Sequence, residues 1–164
     1  MRKYFLLFVM AMILLSTGYM GSKAFGEENM MQKMMEMGKK NFQQSLDNGK
    51  ELYEDSSLGT TGLTCKSCHP KGGTAGGRVE MTYKGKVMKP MIPILKGAAA
   101  HFPAPRGPER KVVTLKGMNN LCIKAFLKGK PLDENNHKAN DLANYVSTFS
   151  VNVPLTPNGR MIYE

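Results

Sequence analysis

The sequence has no tryptophan, only three cysteines, and 13 acidic residues against 23 basic ones. No tract repeats at a fixed period, which excludes repeat arrays and favours a single domain within 164 residues. With three cysteines and three histidines widely spread, two ligand pairs for structural zinc are not available at suitable spacing. The absence of tryptophan, together with 26 glycines and prolines, predicts a loop-rich chain whose helices supply the packing.

The first residues are organised like a secretory signal peptide. The basic segment MRKY precedes an apolar run of 11 residues, FLLFVMAMILL, and small residues follow in STGYMGSKAFG. Cleavage fits after Ala24 and equally after Gly26. A transmembrane helix needs about 20 apolar residues, so membrane anchoring is disfavoured. We therefore expect residues 1–24 to be a signal peptide and the mature protein to be exported, to the periplasm or an equivalent compartment.

The basic excess is concentrated in the middle of the chain. Between Lys66 and Lys130 there are 14 Lys or Arg residues, opposed only by Glu80 and Glu109. Nucleic acid is a common partner of basic proteins, but export and the lack of interleaved aromatic residues argue against it here. An acidic redox protein or an anionic substrate is the expected partner, and an ordinary solvated face is the alternative.

A methionine-rich extension is expected at residues 25–41. Met30 and Met34, like Met31 and Met35, are four residues apart, which predicts an amphipathic helix carrying a methionine stripe. Copper binding by this stripe is an alternative, but no histidine accompanies the methionines. Packing is the interpretation we favour.

Residues 42–150 are predicted to form the domain, and residues 151–164 a C-terminal tail. Six of the nine prolines fall within residues 57–112, so loops are expected there, and loops of that length need an organiser such as a large cofactor. Apolar spacing predicts three helices around this segment. The first helix ends near Tyr53, with Gly49 admitting a close approach. The second places Met118, Cys122 and Phe126 on one face, and Gly129 is suited to end it. The third places Leu142, Tyr145, Val146 and Phe149 on one face and is capped by Asn135 or Asn136.

The stretch TGLTCKSCHPKGG contains Cys65, Cys68 and His69 in the spacing C-x-x-C-H. A disulfide or a zinc site leaves His69 unexplained, and the flanking residues do not provide the strand-to-helix turn of a thioredoxin-like motif. Covalent attachment of haem uses all three residues, because two thiols form thioethers with the vinyl groups and the histidine supplies a nitrogen to iron. The motif therefore predicts one haem c, with His69 as the proximal iron ligand.

Beyond this motif the sequence resembles class I cytochrome c. GKELY is similar to the first helix of that family, PILKG at residues 93–97 to its P-x-L-x-G loop, and DLANYVSTFS to its last helix. The resemblance implies a mainly α, class I cytochrome c fold, in which Gly49 and Tyr53 pack near Leu142 and Tyr145. It also implies single-electron transfer.

The tract from AAAHFPAPRGP to LKGKPL resembles, more narrowly, the cytochromes of the Sox sulfur-oxidation system and the thiosulfate dehydrogenases. Members of that group can use cysteine as the distal iron ligand, and the matching residue is Cys122. Many of them hold two haems, whereas this chain has a single C-x-x-C-H. The resemblance makes oxidation of thiosulfate or a related sulfur compound the alternative to electron carriage. A haem-based sensor with an exchangeable sixth site is a third possibility.

The sixth iron position has several candidates in the sequence. Cys122 is favoured narrowly because it is the leftover cysteine, and an unpaired thiol in an oxidising compartment needs burial, pairing or a metal. Met118 is one helical turn earlier on the same face and is the alternative distal ligand, which would raise the reduction potential, whereas a thiolate would lower it. The other candidates are Met88, Met91, His101 and His137.

Overall fold

The computed structural model describes residues 2–106 and 108–153. The prediction of a mainly α chain is confirmed, with three short antiparallel strand pairs added. The helices are α1 (Arg2–Glu54), α2 (Cys65–Cys68), α3 (Leu115–Cys122), continued by a π-helical turn at Ile123–Leu127, and α4 (His137–Thr148), with 3-10 turns at Ser56–Leu58, Lys71–Gly73 and Ala98–His101. The strands are β1 (Gly77–Arg78), β2 (Met81–Tyr83), β3 (Lys86–Met88), β4 (Met91–Ile92), β5 (Ala104–Arg106) and β6 (Lys111–Val113).

The chain divides into two compact units, Met1–Phe42 and Gln43–Glu164. In the first unit, the methionines of the predicted stripe are between 54% and 64% exposed, so the stripe lies on the surface of its unit. No helix among the residues described is both long and apolar enough to cross a membrane. Of the predicted C-terminal tail, residues 154–164 lie outside the described residues.

The core of the second unit joins the end of α1, the π-helical turn and α4. Tyr53, Ile123 and Leu142 are almost completely buried, and Leu127 and Val146 complete the cluster. The three rings of Tyr53, Tyr145 and Phe149 pack edge-on or tilted, with centroids 5.3–5.9 Å apart. The expected packing of Tyr53 near Leu142 and Tyr145 is thus observed.

The helices α1 and α4 approach each other closely at Gly49. A Cβ atom at this position would overlap the backbone carbonyl of Asp141 and the Cβ of Tyr145. Ser45 and Asn48, on the preceding turn of α1, donate hydrogen bonds to the buried carboxylate of Asp141. The prediction that Gly49 admits a close backbone approach is confirmed, and the contact holds the two helices together.

The proline-rich segment contains short strand pairs that the prediction of a mainly loop segment did not include. β1 pairs with β4 and encloses the β2–β3 hairpin, while β5 pairs with β6. Strands of two or three residues are too short for an alternation of polar and apolar residues to reveal them. Met81 and Ile92 from the nested hairpins are buried against Cys68, so these strands form part of the surroundings of the C-x-x-C-H motif.

The helix boundaries are close to those predicted. Asn136 caps α4 by accepting a hydrogen bond from the Lys138 amide, as one of the two predicted alternatives required. At the end of the π-helical turn, Lys128 has the left-handed conformation, with φ of 58°, which corrects the prediction that Gly129 ends this helix. Gly129 instead packs tightly on the carbonyl of Leu58.

Candidate functional site

The C-x-x-C-H motif forms a single helical turn with its own cap. Thr64 accepts a hydrogen bond from the Ser67 amide, and the Ser67 hydroxyl accepts one from the Thr64 amide, which completes a capping box. Gly77 of β1 approaches the carbonyl of Cys68 too closely for any side chain. The turn is therefore fixed by its own residues and by the strand that lies against it.

His69 ends this turn, and its ring is oriented by a backbone group. Its Nδ1 atom lies 2.9 Å from the carbonyl oxygen of Pro93, an acceptor, so Nδ1 carries the proton of the neutral ring. Burial lowers the pKa of His69, partly offset by that carbonyl, so the neutral form is favoured. Nε2 is left with a free lone pair, as in metal-binding histidines whose other nitrogen donates to a carbonyl.

The backbone of His69 is held as well. The hydroxyl of Tyr53 donates a hydrogen bond of 2.7 Å to the His69 carbonyl, which links the core of the second unit to the motif. Burial, followed by the neighbouring Cys65, raises the pKa of Tyr53, so this hydroxyl keeps its proton well above neutral pH. Sequence reasoning placed Tyr53 in the core but missed its bond to the motif, because the partner is a backbone atom.

Cys65, Cys68 and His69 line one cavity of about 270 Å³. One water molecule takes up about 10–15 Å³ of such a cavity, and protein interiors rarely keep voids larger than a water molecule. A cavity of this size is therefore unusual. The walls are largely apolar, with few polar groups, as is usual in cofactor sites. Ile92, Ile94, Leu95, Phe102, Leu115, Phe126 and Val146 are among the apolar residues that form them.

α3 contributes one wall of this cavity through Leu115, Met118, Asn119 and Cys122. The predicted common face of Met118, Cys122 and Phe126 is confirmed, since all three reach the cavity. All five site residues predicted from the sequence, namely Cys65, Cys68, His69, Met118 and Cys122, therefore line one space.

The other candidates for the sixth position divide into two groups. Met91 and His101 line the cavity, although Met91 is 57% exposed. Met88 lies on the exposed β3, and His137 borders a separate polar depression with Glu51 and Asp141. Neither Met88 nor His137 is among the residues that line the cavity of Cys65.

The three cysteines form no disulfide, and neighbouring thiols contribute to the pKa shifts of Cys65 and Cys122. Burial, and then the neighbouring Cys122 and Cys68, raise the pKa of Cys65 to about 12. Burial, and then Cys68, raise the pKa of Cys122 to about 11, and burial also raises that of Cys68. The thiols are protonated at neutral pH in these surroundings, and a bound cation would be needed to favour a thiolate.

Asn119 is a site residue that sequence reasoning missed. Its amide Nδ2 is buried and has no hydrogen-bond partner among residues 2–106 and 108–153. A signal existed, since Asn119 is three residues before Cys122 and so lies on the same side of the helix. By contrast, the side-chain amide of its neighbour Asn120 donates a hydrogen bond to the Leu132 carbonyl and accepts one from the Leu132 amide, at 2.8 Å each.

Most lysines and arginines of the basic segment are exposed. Its two acidic residues are paired within it, Glu80 with Lys89 at 3.1 Å and Glu109 with Lys111 at 2.7 Å. Lys96, from the PILKG loop, is exposed and borders the cavity itself.

No protein-family model matches the chain, and no curated protein is significantly similar to it. Functional assignment therefore depends on the residues around the cavity.

Proposed function

We propose that this protein is an exported monohaem c-type cytochrome that carries single electrons between redox partners. One observation carries the proposal: both cysteines and the histidine of C-x-x-C-H line the same apolar cavity, and the His69 ring is oriented by the Pro93 carbonyl. A structural zinc or disulfide role for the cysteines would not require a large apolar space beside them. Covalent haem attachment requires both the space and the three side chains.

The residues present fit a haem group. Cys65 and Cys68 would hold it through thioether bonds, and His69 would supply Nε2 as the proximal ligand, since its Nδ1 is already engaged. The apolar walls would exclude water from the ring, which favours electron transfer over reactions with solvent. When bound, the haem would supply a reversible one-electron centre.

The resemblance to class I cytochrome c agrees with several local features. The PILKG loop provides the carbonyl that orients His69, and α1 and α4 meet closely at Gly49. These contacts support a class I cytochrome c fold for the second unit. The contact at Gly49 links the two segments of the resemblance that are most distant in the sequence, GKELY and DLANYVSTFS.

An acidic redox protein is the partner that the charge distribution supports. Glu80 and Glu109 are paired within residues 66–130, and Lys66 is paired with Glu54 at 3.1 Å, so the segment keeps a large excess of positive charge. Exposed Lys96 places one of these charges at the border of the cavity, where an approaching partner would meet it. Such charges accelerate the encounter of oppositely charged proteins.

The second candidate function is oxidation of thiosulfate or a related sulfur compound at a His/Cys-ligated haem. The observation that favours it is the position of Cys122 in the cavity wall beside Met118. Thiolate coordination donates electron density to iron, and methionine coordination raises the potential. The two functions therefore differ in the side chain that completes the iron site.

A redox titration of the purified holoprotein, with and without thiosulfate, separates these functions. An electron carrier takes up and releases one electron per haem reversibly, and thiosulfate changes neither its spectrum nor its rate of oxidation. An enzyme reduces its haem in the presence of thiosulfate and turns over with an added electron acceptor. A preparation with no one-electron transition would refute both candidates. A Cys65→Ser/Cys68→Ser variant, made in parallel, controls for pigment that is bound nonspecifically.

A further inference from the structure

Two adjacent asparagines on α3 have opposite surroundings. Asn120 is buried, and both ends of its amide are bonded to the backbone of Leu132, so it fixes the chain after the π-helical turn. Asn119 borders the cavity, and its Nδ2 is buried without a hydrogen-bond partner in the described part of the chain. A buried amide donor without a partner is unfavourable, and native structures keep few of them. This donor therefore requires an acceptor that is present in the working protein.

The acceptors available on the same wall are sulfur atoms. Besides Asn119, α3 presents Leu115, Met118 and Cys122 to the cavity, and Leu115 cannot accept a hydrogen bond. Residues three apart on a helix are neighbours, with Cβ atoms about 5–6 Å apart, so the side chains of Asn119 and Cys122 lie on one side of α3. Met118 is the immediate neighbour in sequence and points about 100° away around the helix.

We propose that Asn119 is a positioning residue of the iron site, whose Nδ2 donates a hydrogen bond to the sulfur of Cys122 when that sulfur faces the iron. The inference rests on the proposed function, because it requires a haem held by Cys65, Cys68 and His69. It also requires Cys122, and not Met118, as the distal iron ligand, since the donor lies on the side of the helix that Cys122 occupies.

The hydrogen bond has a defined electronic consequence. A thiolate donates electron density to iron and lowers the reduction potential, and a hydrogen bond to the sulfur withdraws part of that density. Asn119 therefore raises the potential above that of an unassisted thiolate. Its removal favours the oxidised form.

The test compares the unmodified holoprotein with Asn119→Leu, which removes the donor and keeps a side chain of similar size. We expect the potential to fall, with a change of up to tenfold in the equilibrium with a one-electron partner, which corresponds to 59 mV. In a Cys122→Ala background the same substitution is expected to leave the potential unchanged, because alanine offers no side-chain acceptor. Asn120→Leu is the control: it removes the bonds to Leu132, so it lowers stability without this shift of potential.

A second measurement uses the unmodified protein and does not depend on whether a variant folds. Exchange into deuterium oxide changes the iron–sulfur stretching frequency if an N–H group is bonded to the coordinated sulfur, so we expect a shift in the resonance Raman spectrum.

The inference is overturned if Asn119→Leu retains its haem and leaves the potential unchanged, if the shift persists in the Cys122→Ala background, or if deuterium exchange leaves the stretch in place. Absence of covalent haem from the unmodified protein, measured first by mass, refutes the proposed function and this inference together. The two failures are therefore distinguishable.

Discussion

Replacing Gly49 with alanine tests how the frame of the site is held together. The new Cβ would overlap the Asp141 carbonyl and the Tyr145 Cβ, and a backbone atom cannot move aside as a flexible side chain does. Overpacking of this kind typically costs about 1–3 kcal/mol, which outweighs the gain in helix propensity of about 0.5–1 kcal/mol. We therefore expect Gly49→Ala to lower the free energy of unfolding by about 1–2 kcal/mol.

Gly38 supplies a matched control within the same helix. It has open space around its Cα, with no atom within 4 Å of a Cβ built there. Gly38→Ala is expected to be neutral or to stabilise by up to about 1 kcal/mol, because only the helix propensity changes.

Urea unfolding followed by far-UV circular dichroism measures both variants, with the midpoint and the slope m fitted separately. If Gly49→Ala shifts the midpoint upward like Gly38→Ala, the close contact between α1 and α4 is not a feature of the protein in solution.

Three further predictions concern the site and its surface. Tyr53→Phe removes the bond to the His69 carbonyl and is expected to cost about 1–2 kcal/mol at neutral pH. Burial raises the pKa of Tyr53 above its ordinary value of 10.0, so the unfolded chain loses this proton at a lower pH than the folded protein does. The free energy of unfolding should therefore fall as the pH rises above 10, and it should fall less steeply in Tyr53→Phe. Denaturant titrations at several pH values measure this difference. Cys122→Ser should change the ferric spectrum while Met118→Leu leaves it largely unaltered, and the reverse pattern would assign methionine as the ligand. The rate of association with an acidic redox partner should fall as the salt concentration rises, because salt screens exposed charges over about 8 Å at physiological ionic strength. A rate that does not depend on salt in stopped-flow measurements would contradict a role for the charges of residues 66–130.

Much of the helical frame could be predicted from the sequence because the helices carry periodic apolar faces. The stripe of Leu142, Val146 and Tyr145 and the spacing from Gly49 to Tyr53 are properties of the helices themselves, so each face followed from helical geometry. That the two faces meet was expected from the resemblance to class I cytochrome c and not from the periodicity. The cap at Asn136 was predictable for the same reason, since capping depends on local sequence. The shared face of Met118 and Cys122 correctly indicated that both reach one space.

The remaining features depend on contacts between distant segments. The three strand pairs are too short to show a period, and the Tyr53 and Pro93 bonds to His69 each involve a backbone carbonyl, which no residue type reveals. The spacing from Cys122 indicates on which side of the helix Asn119 lies, but only the fold gives Asn120 a partner in Leu132 and leaves the Asn119 amide without one among the described residues. The exclusion of His137 likewise depends on where α4 begins relative to the cavity.

The central claim is that Cys65 and Cys68 hold one haem covalently. The most direct measurement is the intact mass of the denatured protein, after its expression in a bacterium that attaches haem to C-x-x-C-H motifs outside the cytoplasm. The account predicts the mature polypeptide plus one haem, retained through acid–acetone extraction and lost in Cys65→Ser/Cys68→Ser. A bare polypeptide mass, with any pigment extracted into the solvent, would contradict it.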